Sequence, residues 1–223
     1  TPGDDLKPIT RGKRWTYVID TSGSMRGKFA TVIEGLRQAW PQMQADDEVR
    51  VILFNTEARD LTNGFVPATP QATAQLLRTL ASVQPNKGTN LHAGLKLALS
   101  GVDDATGAVV LITDGVANIG TTAHNAFLKL VNNHDLRLFT MIMGNSANRP
   151  LLNDLTDASG GFAISISNND DVIGQLQRAL GKVSHEAMHA IDISLTGVRT
   201  ANVVRSRDHS LYHGDQLTVF GHY

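Results

Sequence analysis

The sequence predicts an α/β domain, a doubly wound and mostly parallel sheet with helices on both faces, followed by a small C-terminal β appendage. Three observations carry this. Short, nearly continuous apolar runs alternate with longer stretches of helical period. The alternation stops near Val183, where short strand-like segments take over. Motifs rich in hydroxyls and carboxylates lie directly after two of the apolar runs and directly before a helical stretch, where the loops of an open α/β sheet gather.

The apolar runs cover residues 15–19, 49–54, 108–112 and 136–143. Strands that are apolar on both faces are what a sheet covered on both sides requires. Helical periodicity covers residues 28–40, 70–82, 91–99, 122–133, 150–158 and 170–183. Asn90 and either Thr121 or Thr122 stand at N-cap positions, and Pro150 suits a first helical turn. Residues 57–66 read as an edge strand or hairpin, and residues 161–167 as a last parallel strand. Beyond Val183, residues 191–195, 201–205 and 216–220 read as strands, with turns at Gly197 and at His213-Gly214-Asp215. The expected organisation is therefore an N-terminal extension at 1–12, the α/β domain at 13–183 and a β-rich extension at 184–223.

Composition narrows the function classes. Among 223 residues, 20 Lys and Arg oppose 21 Asp and Glu, for a net charge of −1. No basic field is available for nucleic acid or anionic lipid. No apolar run reaches the length that spans a bilayer. There is no cysteine, which excludes disulfides and thiolate metal sites. Residues 1–7 lack a basic segment followed by an apolar stretch, so no signal peptide is read there. The chain reads as an excised piece of a longer protein.

The motifs are Asp20-Thr21-Ser22-Gly23-Ser24, Gly88-Thr89-Asn90 and Thr113-Asp114-Gly115. Together they offer carboxylate and hydroxyl oxygen, which suits Mg²⁺, Mn²⁺ or Ca²⁺ and suits Zn²⁺ or Cu²⁺ poorly. In extended backbone, residues two apart point the same way, which explains the Asp-x-Ser-x-Ser spacing. Two carboxylates nearly neutralise a dication, leaving it able to take a further acidic ligand from outside. Any one motif alone reads as turns and helix caps. Three in this order, each at a strand end, point to a metal site.

Residues 20–25 with Met25 last, followed by Gly88-Thr89-Asn90 and Thr113-Asp114-Gly115, closely resemble the metal-ion-dependent adhesion site of von Willebrand factor type A domains. The resemblance covers about residues 13–183. It implies a six-stranded sheet with one antiparallel edge strand, near Glu57. It implies that Ser22, Ser24 and Thr89 touch a metal directly, and that Asp20 and Asp114 do so directly or through water. Mg²⁺ is the expected ion, with Mn²⁺ or Ca²⁺ as alternatives. The implied function is non-enzymatic: adhesion or protein binding, through an Asp or Glu of a protein partner or of an adjacent domain of the same polypeptide. The implied setting is extracytoplasmic, whether cell surface, periplasmic or secreted. One departure stands out, since many members have Gly-Gly-Thr-Asn and here Lys87 precedes Gly88. Residues 17–25 and 211–223 further resemble the heavy chains of inter-alpha-trypsin inhibitor and their bacterial relatives.

A rival reading comes from His185-Glu186-Ala187-Met188-His189, the pattern of a zinc metallopeptidase. On a helix, His185 and His189 share a face and Glu186 is the general base. A catalytic zinc wants a third protein ligand. No glutamate follows Glu186, and His209 and His213, which lie downstream, could serve only by an unusual arrangement. The motif also falls where the last helix should end. Elsewhere, His92 reads as a residue of the metal rim, His124 and His134 as surface residues, and Met141 and Met143 as core.

Overall fold

The computed structural model describes residues 6–7, 13–100, 107–132, 137–145, 147–166, 171–183, 185, 188–189, 191, 201–205, 210–216 and 218–222. The chain divides into two compact units, Arg11–Ala179 and a second made of Thr1–Thr10 with Leu180–Tyr223.

The larger unit is built on the sheet. In chain order its elements are β1 (Arg14–Asp20), α1 (Phe29–Ala39), β2 (Glu48–Phe54), β3 (Ala58–Asp60), β4 (Val66–Pro67), α2 (Pro70–Ala81), α3 (Leu91–Leu99), β5 (Gly107–Thr113), α4 (His124–Asn132), β6 (Arg137–Met143), α5 (Arg149–Ala158), β7 (Phe162–Ile166) and α6 (Val172–Val183). The strand order is β3-β2-β1-β5-β6-β7, with β4 also paired to β2. β2, β1, β5, β6 and β7 run parallel, whereas β3 and β4 are antiparallel to β2. Residues 57–66, read as an edge strand or hairpin, supply the antiparallel edge as two short strands along the same neighbour.

The central strands are buried almost end to end. Every residue of β1 from Trp15 to Asp20 is buried, and so is every residue of β2 from Val49 to Phe54. Side-chain alternation divides β1 between two faces. Val18 lies in one core with Leu91, Leu95, Phe127, Leu151 and Leu155 of α3, α4 and α5. Tyr17 meets Trp40, just after α1, edge to face at 5.5 Å on the other side. Asp20 has the parity of Val18 and so belongs to the face from which α3 starts.

Local chemistry sets the helix starts. The Thr69 side chain accepts from Ala72 N before α2, Asn90 from Ala93 N before α3, and Asn148 from Leu151 N before α5. The helix expected from Thr122 begins instead at His124, so neither Thr121 nor Thr122 caps it directly. Met141 and Met143 are core residues, 2% and 3% exposed.

The smaller unit contains β8 (Met188–His189), β9 (Ala201–Arg205), β10 (Ser210–Leu211) and β11 (Val219–His222). β8 pairs with β10 and β9 with β11, both antiparallel. The strand expected at 201–205 is present. The one expected at 216–220 forms later, at Val219–His222, because the chain turns at 213–214 and makes an Asp215-to-Tyr212 backbone bond first. Residues 192–195 of the remaining expected strand, Gly197, and most of the expected extension at 1–12 lie outside the described residues.

Gly94 lets α3 approach β2 closely. A Cβ there would lie 2.8 Å from the ring of Phe54, itself 1% exposed. Gly-to-Ala in a helix interior ordinarily gains about 1 kcal/mol. Overpacking a filled core costs about 1–3 kcal/mol. The second effect should win, so Gly94→Ala is expected to lower the urea midpoint, and a raised midpoint would show that α3 can withdraw freely.

Candidate metal centre at the switch point of the sheet

The chain leaves β1 toward β2 on one side and later returns past β1 to β5 on the other. The carboxyl ends of β1 and β5 therefore flank the point where the winding reverses, the place where open α/β sheets bind ligands. Asp20 is the last residue of β1 and Asp114 directly follows β5. Asp20, Ser22, Thr89 and Asp114 are all buried, at 0%, 1%, 3% and 2% exposure, while Ser24 lies at the exposed rim.

Each carboxylate is held at both oxygens. Asp20 Oδ1 accepts from Ser22 N at 2.7 Å, and Oδ2 accepts from Thr113 Oγ1 at 2.6 Å. Asp114 Oδ1 accepts from Ser24 Oγ at 2.7 Å, and Oδ2 accepts from the Lys28 ammonium. Ser22 Oγ and Ser24 Oγ are 3.0 Å apart. Since the single Ser24 hydroxyl proton goes to Asp114, Ser22 is the donor in that pair. Lone pairs on both serine oxygens are left for another acceptor-seeking group.

Thr89 arrives from a different loop and is fixed by its backbone. Its N–H donates to Asn118 Oδ1 at 2.9 Å, and its carbonyl accepts from Asn118 N and Ile119 N at 3.0 and 3.2 Å. Gly115 makes room for its side chain. A Cβ at Gly115 would sit 2.7 Å from Thr89 Cγ2, 3.1 Å from Thr89 Oγ1 and 3.0 Å from Asp20 Oδ2, so the Thr89 and Asp20 side chains converge on one small space over Gly115.

Three loops are stitched together by their backbones. Thr21 N donates to Phe54 O, Asn86 N to Thr21 O, Gly23 N to Lys87 O and Asn90 N to Asn55 O. Lys87, the residue that departs from the family pattern, has φ of +66°. Glycine takes that left-handed conformation without cost, whereas a side chain pays about 1 kcal/mol. The departure therefore keeps the loop's path and adds strain plus a rim charge.

Burial pushes the Asp20 carboxyl above the usual carboxylate range, against the hydrogen bonds from Thr113 and Ser22, and the neighbouring Asp114 adds to the rise. A nearby cation would relieve both contributions. The donors are hard oxygens only, two carboxylates with hydroxyls, and among the described residues no group of three or more His, Cys, Asp or Glu is placed to hold a metal ion. The residues present fit a hard dication that keeps some of its own waters.

All five expected site residues are thus gathered at one end of the sheet. Three residues beyond the five expected ligands also act there, one of them (Thr113) part of the third motif and two (Lys28, Asn118) outside all three. Thr113 orients Asp20, Asn118 fixes Thr89, and Lys28 pairs with Asp114. His92 does not join the rim. Its ring packs edge-on against Phe127 at 5.5 Å, and its pKa is lowered by burial and by Lys96. His124 makes a contact of 3.1 Å with Asp154 of α5, and His134 lies outside the described residues.

Among the described residues, the helical arrangement expected of the peptidase motif is not formed. α6 ends at Val183, before His185, and His189 lies in β8 opposite Ser210. The two histidines therefore do not share a helical face. The His185 ring instead stacks on His213 at 4.0 Å, and its Nδ1 lies 3.2 Å from Gly181 O. Glu186 and His209 lie outside the described residues.

A family model for the von Willebrand factor type A domain matches residues 16–164. The chain belongs to that family. This A domain is 26% identical to human inter-alpha-trypsin inhibitor heavy chain H2 over 232 residues, covering 98% of the chain and 24% of the relative. It is 27% identical to human heavy chain H3, over 94% of the chain and 25% of the relative. The chain thus spans about a quarter of the length of these curated relatives. Among solved structures, a von Willebrand factor type A protein from Catenulispora acidiphila matches with TM-score 0.67 and 19% identity, over 81% of this chain and 44% of that one. The pilus adhesin SpaC from Lactobacillus rhamnosus GG matches with TM-score 0.65 and 13% identity, over 80% and 31%. At such identities these two likenesses concern the fold. Domains of this family are typically non-enzymatic modules of protein–protein adhesion.

Because Asp20 has a raised value when folded, the folded chain binds its proton more tightly than the unfolded chain does. Its contribution is fully present below the unfolded value, near pH 4, and is lost as pH rises through the elevated folded value. In metal-free buffer, Asp20→Asn should therefore flatten the loss of stability with rising pH relative to the parent. Parallel pH profiles of the two unfolding midpoints would refute the burial argument.

Proposed function

We propose that this A domain is a binding module that holds one divalent cation, Mg²⁺ foremost with Mn²⁺ or Ca²⁺ as alternatives, and uses it to grip an Asp or Glu carboxylate. The carboxylate comes from a protein partner or from a neighbouring domain of the same polypeptide. The observation that carries this is the gathering of Asp20, Ser22, Ser24, Thr89 and Asp114 at the switch point, with the Thr89 and Asp20 side chains around one small space.

The chain's own residues divide the work. Thr113 and the Ser22 N–H hold the Asp20 carboxylate in a fixed orientation. Ser24 does the same for Asp114. Ser22, Ser24 and Thr89 contribute hydroxyl oxygens. When bound, the cation would supply a coordination position for an external anionic oxygen. Two carboxylates and several hydroxyls suit a small ion that retains waters better than a site of many carboxylates would.

The surroundings support a protein as partner. Val116 and Ile119, on the loop after Asp114, are 50% and 36% exposed. Lys87 and Arg26 are exposed on the neighbouring loops. Beside them a cleft of about 560 Å³ opens, lined by Phe54, Asn55, Val83, Asn86 and Lys87 among others. An acidic side chain flanked by aliphatic ones matches this rim in charge and polarity. Membership of the A-domain family favours an extracytoplasmic setting. Among the described residues no helix is long and apolar enough to cross a membrane.

Calorimetric titration of metal-stripped protein with Mg²⁺, Mn²⁺ and Zn²⁺ tests the proposal. Mg²⁺ or Mn²⁺ is expected to bind, and Ser22→Ala and Thr89→Ala each to weaken binding by at least about tenfold while the fold persists. Silence toward Mg²⁺ and Mn²⁺ at millimolar concentrations, or Zn²⁺ binding that both substitutions leave intact, would overturn it.

A further inference from the structure

We infer that Lys28 is a tethered cation that occupies Asp114 when no metal is bound and competes with the incoming dication for that carboxylate. The inference rests on the metal reading above. Four features of the chain support it.

The Lys28 ammonium donates to Asp114 Oδ2, and the Asp114 side chain is 0% exposed. A buried carboxylate needs a compensating charge, and Lys28 supplies one. Its other oxygen is already taken by Ser24. Each oxygen keeps a further lone pair, so a dication can share Asp114 with the neutral Ser24 hydroxyl, but the Lys28 ammonium brings a like charge that such an ion repels.

Helix formation does not explain a lysine at this position. Lys28 is the N-cap residue of α1 and makes no side-chain cap bond. A positive charge at a helix N-terminus opposes the helix dipole. Carboxylates and hydroxyls are favoured there. Gly27, with φ of +88°, turns the chain immediately before it, so that α1 starts with Lys28 beside the site.

Charge accounting gives the direction of the effect. Asp20 and Asp114 together carry −2 when ionised, and Lys28 reduces this to −1. The attraction for a dication is weaker by one charge, and a dication and an ammonium on one carboxylate repel each other. Lysine also suits release. It bears a point charge on a flexible four-carbon stem, unlike the planar fork of arginine. Its side chain is 26% exposed, so solvent offers a way out. Once displaced, the ammonium stands free at the rim on which an acidic partner group would land.

The test compares wild type with Lys28→Met and Lys28→Arg by Mg²⁺ calorimetry and by thermal unfolding with and without Mg²⁺. Competition predicts that Lys28→Met binds Mg²⁺ more tightly, on the order of tenfold. It also predicts a lower metal-free midpoint and a larger rise on adding Mg²⁺. Lys28→Arg should restore the metal-free midpoint without the tighter binding. Should Lys28→Met fail to fold without metal, wild type alone still decides the matter. Amine-reactive labelling of Lys28, read by mass spectrometry, should be slow in metal-free protein and faster at Mg²⁺ saturation. If Mg²⁺ binds and labelling is unchanged, or if Lys28→Met binds Mg²⁺ equally or more weakly, competition is overturned while the metal reading stands. If neither wild type nor Lys28→Met binds any divalent ion, the metal reading itself falls and takes this inference with it.

Discussion

The fully buried Asp20 carboxylate at the end of the central strand is the constraint around which the rest of this domain is arranged. A charge with no solvent exposure must be met by fixed donors or it will not ionise. Those donors come from the next residues of the same loop and from the adjacent strand, through Ser22 N and Thr113 Oγ1. Meeting them requires β1 and β5 to stop in register, which their parallel pairing up to Ile19 and Ile112 ensures. It also requires Gly115, because a side chain there would strike both Asp20 and Thr89.

The arrangement gathers two buried carboxylates that repel each other and that one backbone N–H, two hydroxyls and one lysine only partly satisfy. The strands, the caps and the loop-to-loop backbone bonds pin this cluster so that it cannot relax by spreading. The fold therefore holds an unfavourable electrostatic state that protonation of Asp20 or a nearby cation would relieve. The same stitching explains how a residue so distant in sequence as Thr89 contributes an oxygen. Its loop has no freedom of its own, being tied to Thr21, Gly23, Asn55 and Asn118.

Much of this was legible in the residues. Each parallel strand of the sheet coincides with an apolar run or with the segment read as a last strand, because burial on both faces leaves no room for polar alternation. The five site residues were legible because their spacing and strand-end placement are unusual in combination. Lys28 was not. A lysine at the start of a helical stretch looks like a solvated charge, and its pairing with Asp114 spans 86 positions. Thr113 stood in a recognised motif at the end of β5, but its pairing with Asp20 spans 93 positions, and Asn118 was hidden because an amide in a loop reads first as a turn former. His92 misled in the opposite direction. It is three residues from a candidate ligand, but the turn of α3 carries its ring toward Phe127. The doubling of the antiparallel edge into β3 and β4 follows from the turn at Asn63 and Gly64, both with positive φ, which divides the segment read as an edge strand or hairpin in two.

The stitching of the three loops also determines how the domain would carry mechanical load. A pull applied at the hydroxyls of Ser22 or Thr89 does not act on a single flexible loop. It passes through Thr21 into Phe54 of β2, through Asn90 into Asn55, and through the Asp20–Thr113 contact into β5. Those anchors lie in the interior strands β2 and β5 or directly after β2, and the hydrogen bonds of these strands run across the strand direction. Force directed along the strands would load many of these bonds in shear at once, where an edge strand would let them break one after another. By construction, the end of the sheet that carries the cluster is also a stiff point of attachment.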